Sequence, residues 1–327
     1  NHAGRGTGNR KGLEMLRVAS VRLLLLLLLL GVAALFVDAA APFRGHNTVT
    51  GVTGGAGTSY DAERAKRGVY LARVSSCMEP DIPTWNCTLC VRKDTPTLES
   101  AQVFKHTSLI DTTFGYVGYD KSENSIVVAF RGTDSIQDWL TDVDFFLKPF
   151  MNYTEEKAHE GFVRAYKFVE VQLKASFKKY LDAHPTAKVE IVGHSLGGAL
   201  TTIAGIDLTD SFNLQDVTVI SYGAPRVGNL AFSQLFAKRV GTSWRVVHWD
   251  DIVPTVPLKG MGFHHVGTEI LYNLENTSYQ VCNGSGEDPK CERRGFSTKQ
   301  HGNYLGIEMI CPGASTYYFM KGAASDM

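Results

Sequence analysis

Val189-Glu190-Ile191-Val192-Gly193-His194-Ser195-Leu196-Gly197-Gly198-Ala199-Leu200 joins a run of β-branched residues to a run of helix formers through a Gly-x-Ser-x-Gly turn. A serine carried on so sharp a strand-to-helix turn stands clear of the sheet, provided that no Cβ atoms crowd it on either side. Gly193 and Gly197 remove those atoms. The turn also sets Ser195 at a helix N-terminus, where free N–H groups and the macrodipole favour the negative oxygen of a tetrahedral intermediate. The strand before and the helix after make the five-residue pattern specific. Together they point to acyl transfer through a nucleophilic serine.

Outward from the elbow the chain alternates strand and helix. Residues 112–119 and 125–130 are β-rich runs around the polar turn Asp120-Lys121-Ser122-Glu123-Asn124 and predict a hairpin. Phe162, Tyr166, Phe168, Val169, Leu173, Phe177 and Leu181 keep a helical period before the nucleophile strand, as do Ala62, Ala65, Val69 and Leu71 further upstream. A helix over 196–208 and strands at 217–222 and 244–247 follow. This order predicts an α/β fold with a largely parallel central sheet covered by helices on both faces. At 327 residues, with 44% hydrophobic content, the chain is long enough for a large core. We read one domain, 60–327.

Serine is a weak nucleophile at neutral pH, so an imidazole must accept its proton and a carboxylate must fix that imidazole's tautomer. On strand–elbow–helix scaffolds these partners follow in the order Ser, acid, His. Asp250 and Asp251 end the strand Trp244-Arg245-Val246-Val247-His248, and either can be the acid. Asp207 and Asp210, on the elbow helix or at its end, read as solvated. His264, His265 and His301 follow the acid. The first two come soon after it, whereas His301 lies in a polar loop able to fold back over the sheet, which favours His301. His194, inside the elbow, reads as a packed core histidine pointing away from the nucleophile's exposed side. Leu196 supplies one oxyanion N–H and Thr133, after the strand 126–130, the other. Beyond it, Ile136, Trp139, Leu140 and Val143 share one face of a short helix. Its place beside the chemistry predicts a lid that meets lipid when open. None of this chemistry requires a metal or an organic cofactor.

The N-terminus predicts processing. Residues 1–14 read as upstream non-mature sequence, 15–39 as a signal peptide with a basic start and a fifteen-residue apolar run at 23–37, and 40–59 as a Gly/Thr-rich leader. The run is short for a membrane span, although an uncleaved anchor is the alternative. Six cysteines and four Asn-x-Ser/Thr sequons, at Asn86, Asn152, Asn276 and Asn283, agree with export. Three disulfides are expected, in a pairing that spacing leaves open. Cys87 and Cys90 are spaced as zinc ligands, but Cys282 and Cys291 do not complete such a site. Equal numbers of basic and acidic residues, 33 each, provide no field for nucleic acid. A monomer is expected.

The chain resembles the secreted class 3 (fungal-type) triacylglycerol lipases over roughly 60–311. The resemblance rests on Phe130-Arg131-Gly132-Thr133 with downstream Trp139, the elbow Gly193-His194-Ser195-Leu196-Gly197-Gly198-Ala199, Asp251-Ile252-Val253-Pro254, and His301-Gly302-Asn303-Tyr304-Leu305-Gly306. It implies an α/β-hydrolase fold with Ser195 as nucleophile, Asp251 rather than Asp250 as acid, and His301 as base. Thr133 and Leu196 would form the oxyanion hole, residues 134–145 the lid, and His265, with Glu269 four residues on, a second, structural histidine. It further implies the pairs Cys77–Cys311, Cys87–Cys90 and Cys282–Cys291. The expected activity is hydrolysis of triacylglycerol esters at a lipid surface. Phospholipase A1 or soluble-ester (feruloyl-type) activity on the same fold, or a lipid-binding surface protein, are the alternatives.

Overall fold

The β-branched run ahead of the elbow sits at the centre of an eight-stranded sheet. The protein, a computed structural model, is described over residues 59–77, 80–107, 112–133, 140, 145–292 and 297–309, all within one compact unit. The expectations for residues 1–58, and those for Ile136, Trp139, Val143 and Cys311, lie outside the described residues.

Helix α1 spans Ala62–Ser76, and strands β1 (Ala101–Thr107), β2 (Thr112–Asp120) and β3 (Ser125–Phe130) follow it. A small ribbon of β4 (Leu147–Pro149) and β5 (Lys157–His159) leads into helix α2 (Glu160–Ala183). The nucleophile strand β6 (Lys188–His194) feeds helix α3 (Leu196–Phe212). Then come β7 (Val217–Tyr222), α4 (Leu230–Arg239), β8 (Thr242–His248), β9 (Thr268–Tyr272) and β10 (Tyr279–Val281). A short helix α5 (Thr298–His301) and the two-residue strands β11 (Asn303–Tyr304) and β12 (Ile307–Glu308) complete the described chain. The sheet order is β1-β2-β3-β6-β7-β8-β9-β10, parallel from β3 to β9 and antiparallel at both margins.

Side chains alternate across each strand, so the sheet fills two cores. Val128, Phe130, Ile191 and Val219 face α2, α3 and α4, packing on Phe162, Val169, Leu200 and Phe232. Val127, Ala129, Val192 and Ile220 face the other way, onto Ala65, Val69 and Ala72 of α1. Each fully buried residue of the Val, Leu and Phe type contributes about 1.5–3 kcal/mol relative to exposure. The parallel strands therefore read as continuous apolar runs rather than as alternation. Helix α3 is buried along most of its length, which explains its lack of a polar face.

The ends of the helices are set by local chemistry. Asp61 accepts from the Arg64 N–H at the start of α1 (3.0 Å), and Asn229 accepts from the Phe232 N–H at the start of α4 (3.0 Å). Helix α1 is locked to the nucleophile strand by Arg64 on Glu190 (2.7 Å), a carboxyl that burial raises above its ordinary pKa. Tyr60, just ahead of α1, stacks edge-on to Trp244 and hydrogen-bonds Tyr272 (2.9 Å).

Two differences from the sequence reading have physical causes. Asp207 is buried rather than solvated: the Tyr166 hydroxyl (2.6 Å) and the Lys174 ammonium (2.8 Å), both from α2, satisfy it. Asp210 is exposed, as expected, and pairs at the surface with Arg239 and Tyr153. Strand β1, helix α4 and strand β10 are elements the sequence reading did not name; each presents only a partial face to the core.

Candidate active site

Strand β6 ends in a residue with φ 57° and ψ −127°, Ser195, on the side of conformational space that costs a non-glycine residue roughly 1–3 kcal/mol. The surroundings enforce it. The Ser195 N–H donates to the Tyr222 carbonyl (2.9 Å) and its carbonyl accepts from Ala199 (3.2 Å). A Cβ on Gly193 would stand 2.5 Å from the Gly197 carbonyl oxygen, and one on Gly197 would stand 2.9 Å from that of Arg131. Any side chain at either position would force the elbow open.

Strand β8 runs parallel to β7, so its end at His248 delivers the following loop to the same edge of the sheet. Of the two aspartates there, Asp250 is half-buried and Asp251 is 1% exposed. Asp251 Oδ1 accepts from the Val253 N–H (2.9 Å), and Oδ2 accepts from His301 Nδ1 (2.8 Å) and from the Tyr304 hydroxyl. His301 closes helix α5, whose start is capped by Ser297. Ser297 zips that segment onto the aspartates: its N–H donates to Asp250 (2.9 Å) and its carbonyl accepts from Ile252 (3.3 Å). Ser195 Oγ and His301 Nε2 are both buried, and neither has a hydrogen-bond partner among the described residues. Buried polar atoms are normally paired. These are two of several unpaired ones among the described residues, and they are a hydroxyl and an imidazole nitrogen, the two groups that a proton transfer needs.

The other histidines sit elsewhere. His265 donates through Nε2 to the Pro254 carbonyl (2.7 Å), bracing the loop after Asp251, and burial holds it well below its ordinary pKa. Its neighbour in sequence, Glu269, instead pairs with Arg245 (2.6 Å). His264 Nδ1 lies 2.8 Å from the His265 carbonyl. His194 is half-buried, packed against His301 and Tyr304, and it does not point away from the site. Its Nε2–H donates to the His301 carbonyl (2.8 Å), and burial, with the neighbouring His301, keeps it neutral.

Thr133 is half-buried on the loop after β3, and a Cβ on Gly132 would lie 2.8 Å from the His194 carbonyl and 3.2 Å from Ser195 Cβ. That loop therefore packs directly on the elbow. Leu196 heads α3, where first-turn N–H groups lack intrahelical acceptors. Of the four apolar residues expected on the lid, only Leu140, helical and half-buried, is described.

Two groups carry site geometry that sequence reasoning assigned no role. Gly223 ends β7 with φ +58°, and a Cβ there would stand 2.8 Å from Asp251 Oδ2 and 3.0 Å from His301 Nδ1. Tyr304, raised well above the ordinary phenol range by burial and by Asp251, remains a donor to the carboxylate. The signal for Gly223 was a glycine at the end of a strand neighbouring the elbow; for Tyr304 it was its place three residues after His301.

Cys87–Cys90 and Cys282–Cys291 are disulfides, Cys77 is also disulfide-bonded, and no described cysteine is free. The sole grouping of metal-ligand types among the described residues, Glu269 with Cys282 and Cys291, has its thiols consumed and its carboxylate paired to Arg245. Asn86, Asn152 and Asn283 are exposed, and Asn276 is partly buried.

Residues 127–261 match the family model described as Lipase (class 3). A lipase of Rhizopus niveus is 34% identical over 211 residues, covering 63% of this chain and 53% of the relative. A secreted mono- and diacylglycerol lipase of Fusarium solani is 33% identical, covering 55% and 54%. The chain thus spans about half the length of these curated relatives. Among solved structures, a triacylglycerol lipase whose catalytic centre is a serine-protease-type triad superposes with a TM-score of 0.69 at 30% identity, over 78% of this chain and 97% of that one.

Proposed function

Because this chain belongs to the class 3 lipase family, we propose that it is a secreted serine hydrolase that cleaves the ester bonds of acylglycerols. The observation that carries this reading is the strained Ser195 elbow, with an Asp251–His301 pair delivered to it from two other loops and Ser195 Oγ and His301 Nε2 left unpartnered. His301 Nε2 takes the Ser195 proton as Oγ attacks the ester carbonyl. Asp251 holds the Nδ1–H tautomer and stabilises the imidazolium. The N–H groups of Leu196 and Thr133 face the developing oxyanion. Collapse breaks the ester bond, and the alcohol leaves with the proton from His301. A water activated by His301 then releases the fatty acid and restores Ser195.

The relatives named as secreted and the expected signal peptide support export, and no helix among the described residues is long and apolar enough to cross a membrane. A lipid surface as the working environment is supported by the apolar face of Ile136, Trp139, Leu140 and Val143 in sequence. Phe146, Leu258 and Met261 also present exposed apolar side chains, 57%, 50% and 39% accessible. Leu147, next to Phe146, lies 3.6 Å from a Cβ placed on Gly262, so the two segments are neighbours. The test is the hydrolysis rate of a short-chain triacylglycerol, and of the matching diacylglycerol, across the solubility limit. A steep rise above the limit is expected. A smooth saturation curve would replace the lidded lipase with an esterase of soluble substrates.

A further inference from the structure

The turn between β9 and β10 carries Asn276, the acceptor of the sequon Asn276-Thr277-Ser278, in a left-handed conformation (φ 55°). Its side chain is partly buried and hydrogen-bonds inward. The Leu305 N–H donates to Asn276 Oδ1 (3.0 Å), and this fixes which end of the amide is which. The Nδ2 group is then aimed at two acceptors, Asn303 Oδ1 (3.1 Å) and His248 Nε2 (3.0 Å). His248 is buried, 4% exposed, with Nδ1 3.1 Å from the Gln300 carbonyl and Nε2 3.0 Å from the Leu274 carbonyl as well. Both carbonyls call for a ring N–H, but an amide Nδ2 can only donate, so a ring nitrogen that meets it must accept. The Asn276 N–H resolves the competition: Nε2 accepts, and Nδ1 keeps the proton and donates to Gln300.

We propose that Asn276 is a positioning residue for the catalytic histidine rather than a glycan acceptor, acting by selecting the His248 tautomer that holds the Gln300 carbonyl. That carbonyl belongs to the peptide entering His301, and the next one, that of His301 itself, is held by His194 (2.8 Å). Both peptide groups around the base are thus tied to imidazole rings at the ends of β8 and β6. Leu305 and Asn303 attach the β11 segment to the same amide. Without Asn276, the His248 proton moves to Nε2 and the Leu274 carbonyl, and the Gln300 carbonyl loses its donor. A glycan on Nδ2 would remove one of the two hydrogens this arrangement uses.

The proposal rests on the reading of Ser195 and His301 as the hydrolytic pair, so Ser195→Ala accompanies every assay. His248→Leu, Asn276→Ala and Asn276→Asp are expected to lower kcat about tenfold at a KM within about twofold, because a slightly misplaced base costs rate rather than binding. Asn276→Asp keeps Oδ1 for Leu305 and loses only the donors. His248→Asn, which sets an N–H close to the place of Nδ1, is expected to restore kcat to within about threefold of wild type. Ser278→Ala abolishes the sequon and leaves kcat unchanged. Independently of any variant, peptide mass mapping of the secreted protein should find Asn276 unmodified. The proposal is overturned by a glycan on Asn276 in active protein, by wild-type kcat in Asn276→Asp and His248→Leu, or by His248→Asn performing no better than His248→Leu. A Ser195→Ala protein as active as wild type would instead remove the reading beneath it.

Discussion

Ser195→Ala lowers ester turnover by on the order of 10⁴ or more and leaves the fold intact. The size follows from what is lost: Oγ is the atom that forms the acyl-enzyme, and no neighbouring group replaces it. The fold survives because the Ser195 backbone, not its side chain, holds the elbow, through bonds to Tyr222 and Ala199. Oγ itself has no partner to lose among the described residues. Alanine keeps the positive φ at a cost similar to that of serine, so the variant should unfold within about 1 kcal/mol of wild type. The measurement is kcat on a soluble short-chain ester beside a denaturant unfolding curve. Retained turnover would take Ser195 out of the mechanism.

Asp251→Asn is expected to lower turnover by about 10⁴ as well, the magnitude that loss of the correct tautomer has in serine proteases. The direction of the amide decides the outcome. The Val253 N–H donates to Oδ1 and requires an oxygen there, so the new NH₂ points at His301 Nδ1 and the Tyr304 hydroxyl. Nδ1 must then accept, the His301 proton moves to Nε2, and the base can no longer take the Ser195 proton. Tyr304 loses its acceptor in a fully buried position, which costs about 1–3 kcal/mol of stability. Kinetics and unfolding together check it: the variant should lose rate strongly and stability modestly. A loss of stability without loss of rate would reduce Asp251 to a structural carboxylate.

How far the site was legible in the sequence depended on whether its signal was local. The elbow was legible because its constraint is steric and lies within five residues: Gly193 and Gly197 abut each other and the Arg131 loop. The central strands were legible because burial on both faces leaves continuous apolar runs. Asp250 and Asp251 are equivalent by spacing, and only the family resemblance chose Asp251, since the difference between them is three-dimensional. Only Asp251 meets His301 and Tyr304, fifty and fifty-three residues later. Asp207 was misread as solvated because its partners, Tyr166 and Lys174, sit on a different helix. His194 was wrongly oriented, because the group it serves, the His301 carbonyl, is 107 residues away. Gly223 and the Asn276–His248 link belong to the same class: their meaning lies wholly in what the topology brings beside them.

The central claim is that Ser195 Oγ is the nucleophile activated by His301, and a covalent trap tests it most directly. The secreted protein would be treated with a p-nitrophenyl alkylphosphonate, whose phosphorus captures an activated serine with release of p-nitrophenolate, and then mapped by peptide mass. The account predicts one phosphonyl group per chain, on Ser195, formed in step with the loss of ester hydrolysis and absent from His301→Ala. Full inactivation with the label on another residue, or an unlabelled Ser195 in protein that has lost its activity, would contradict it.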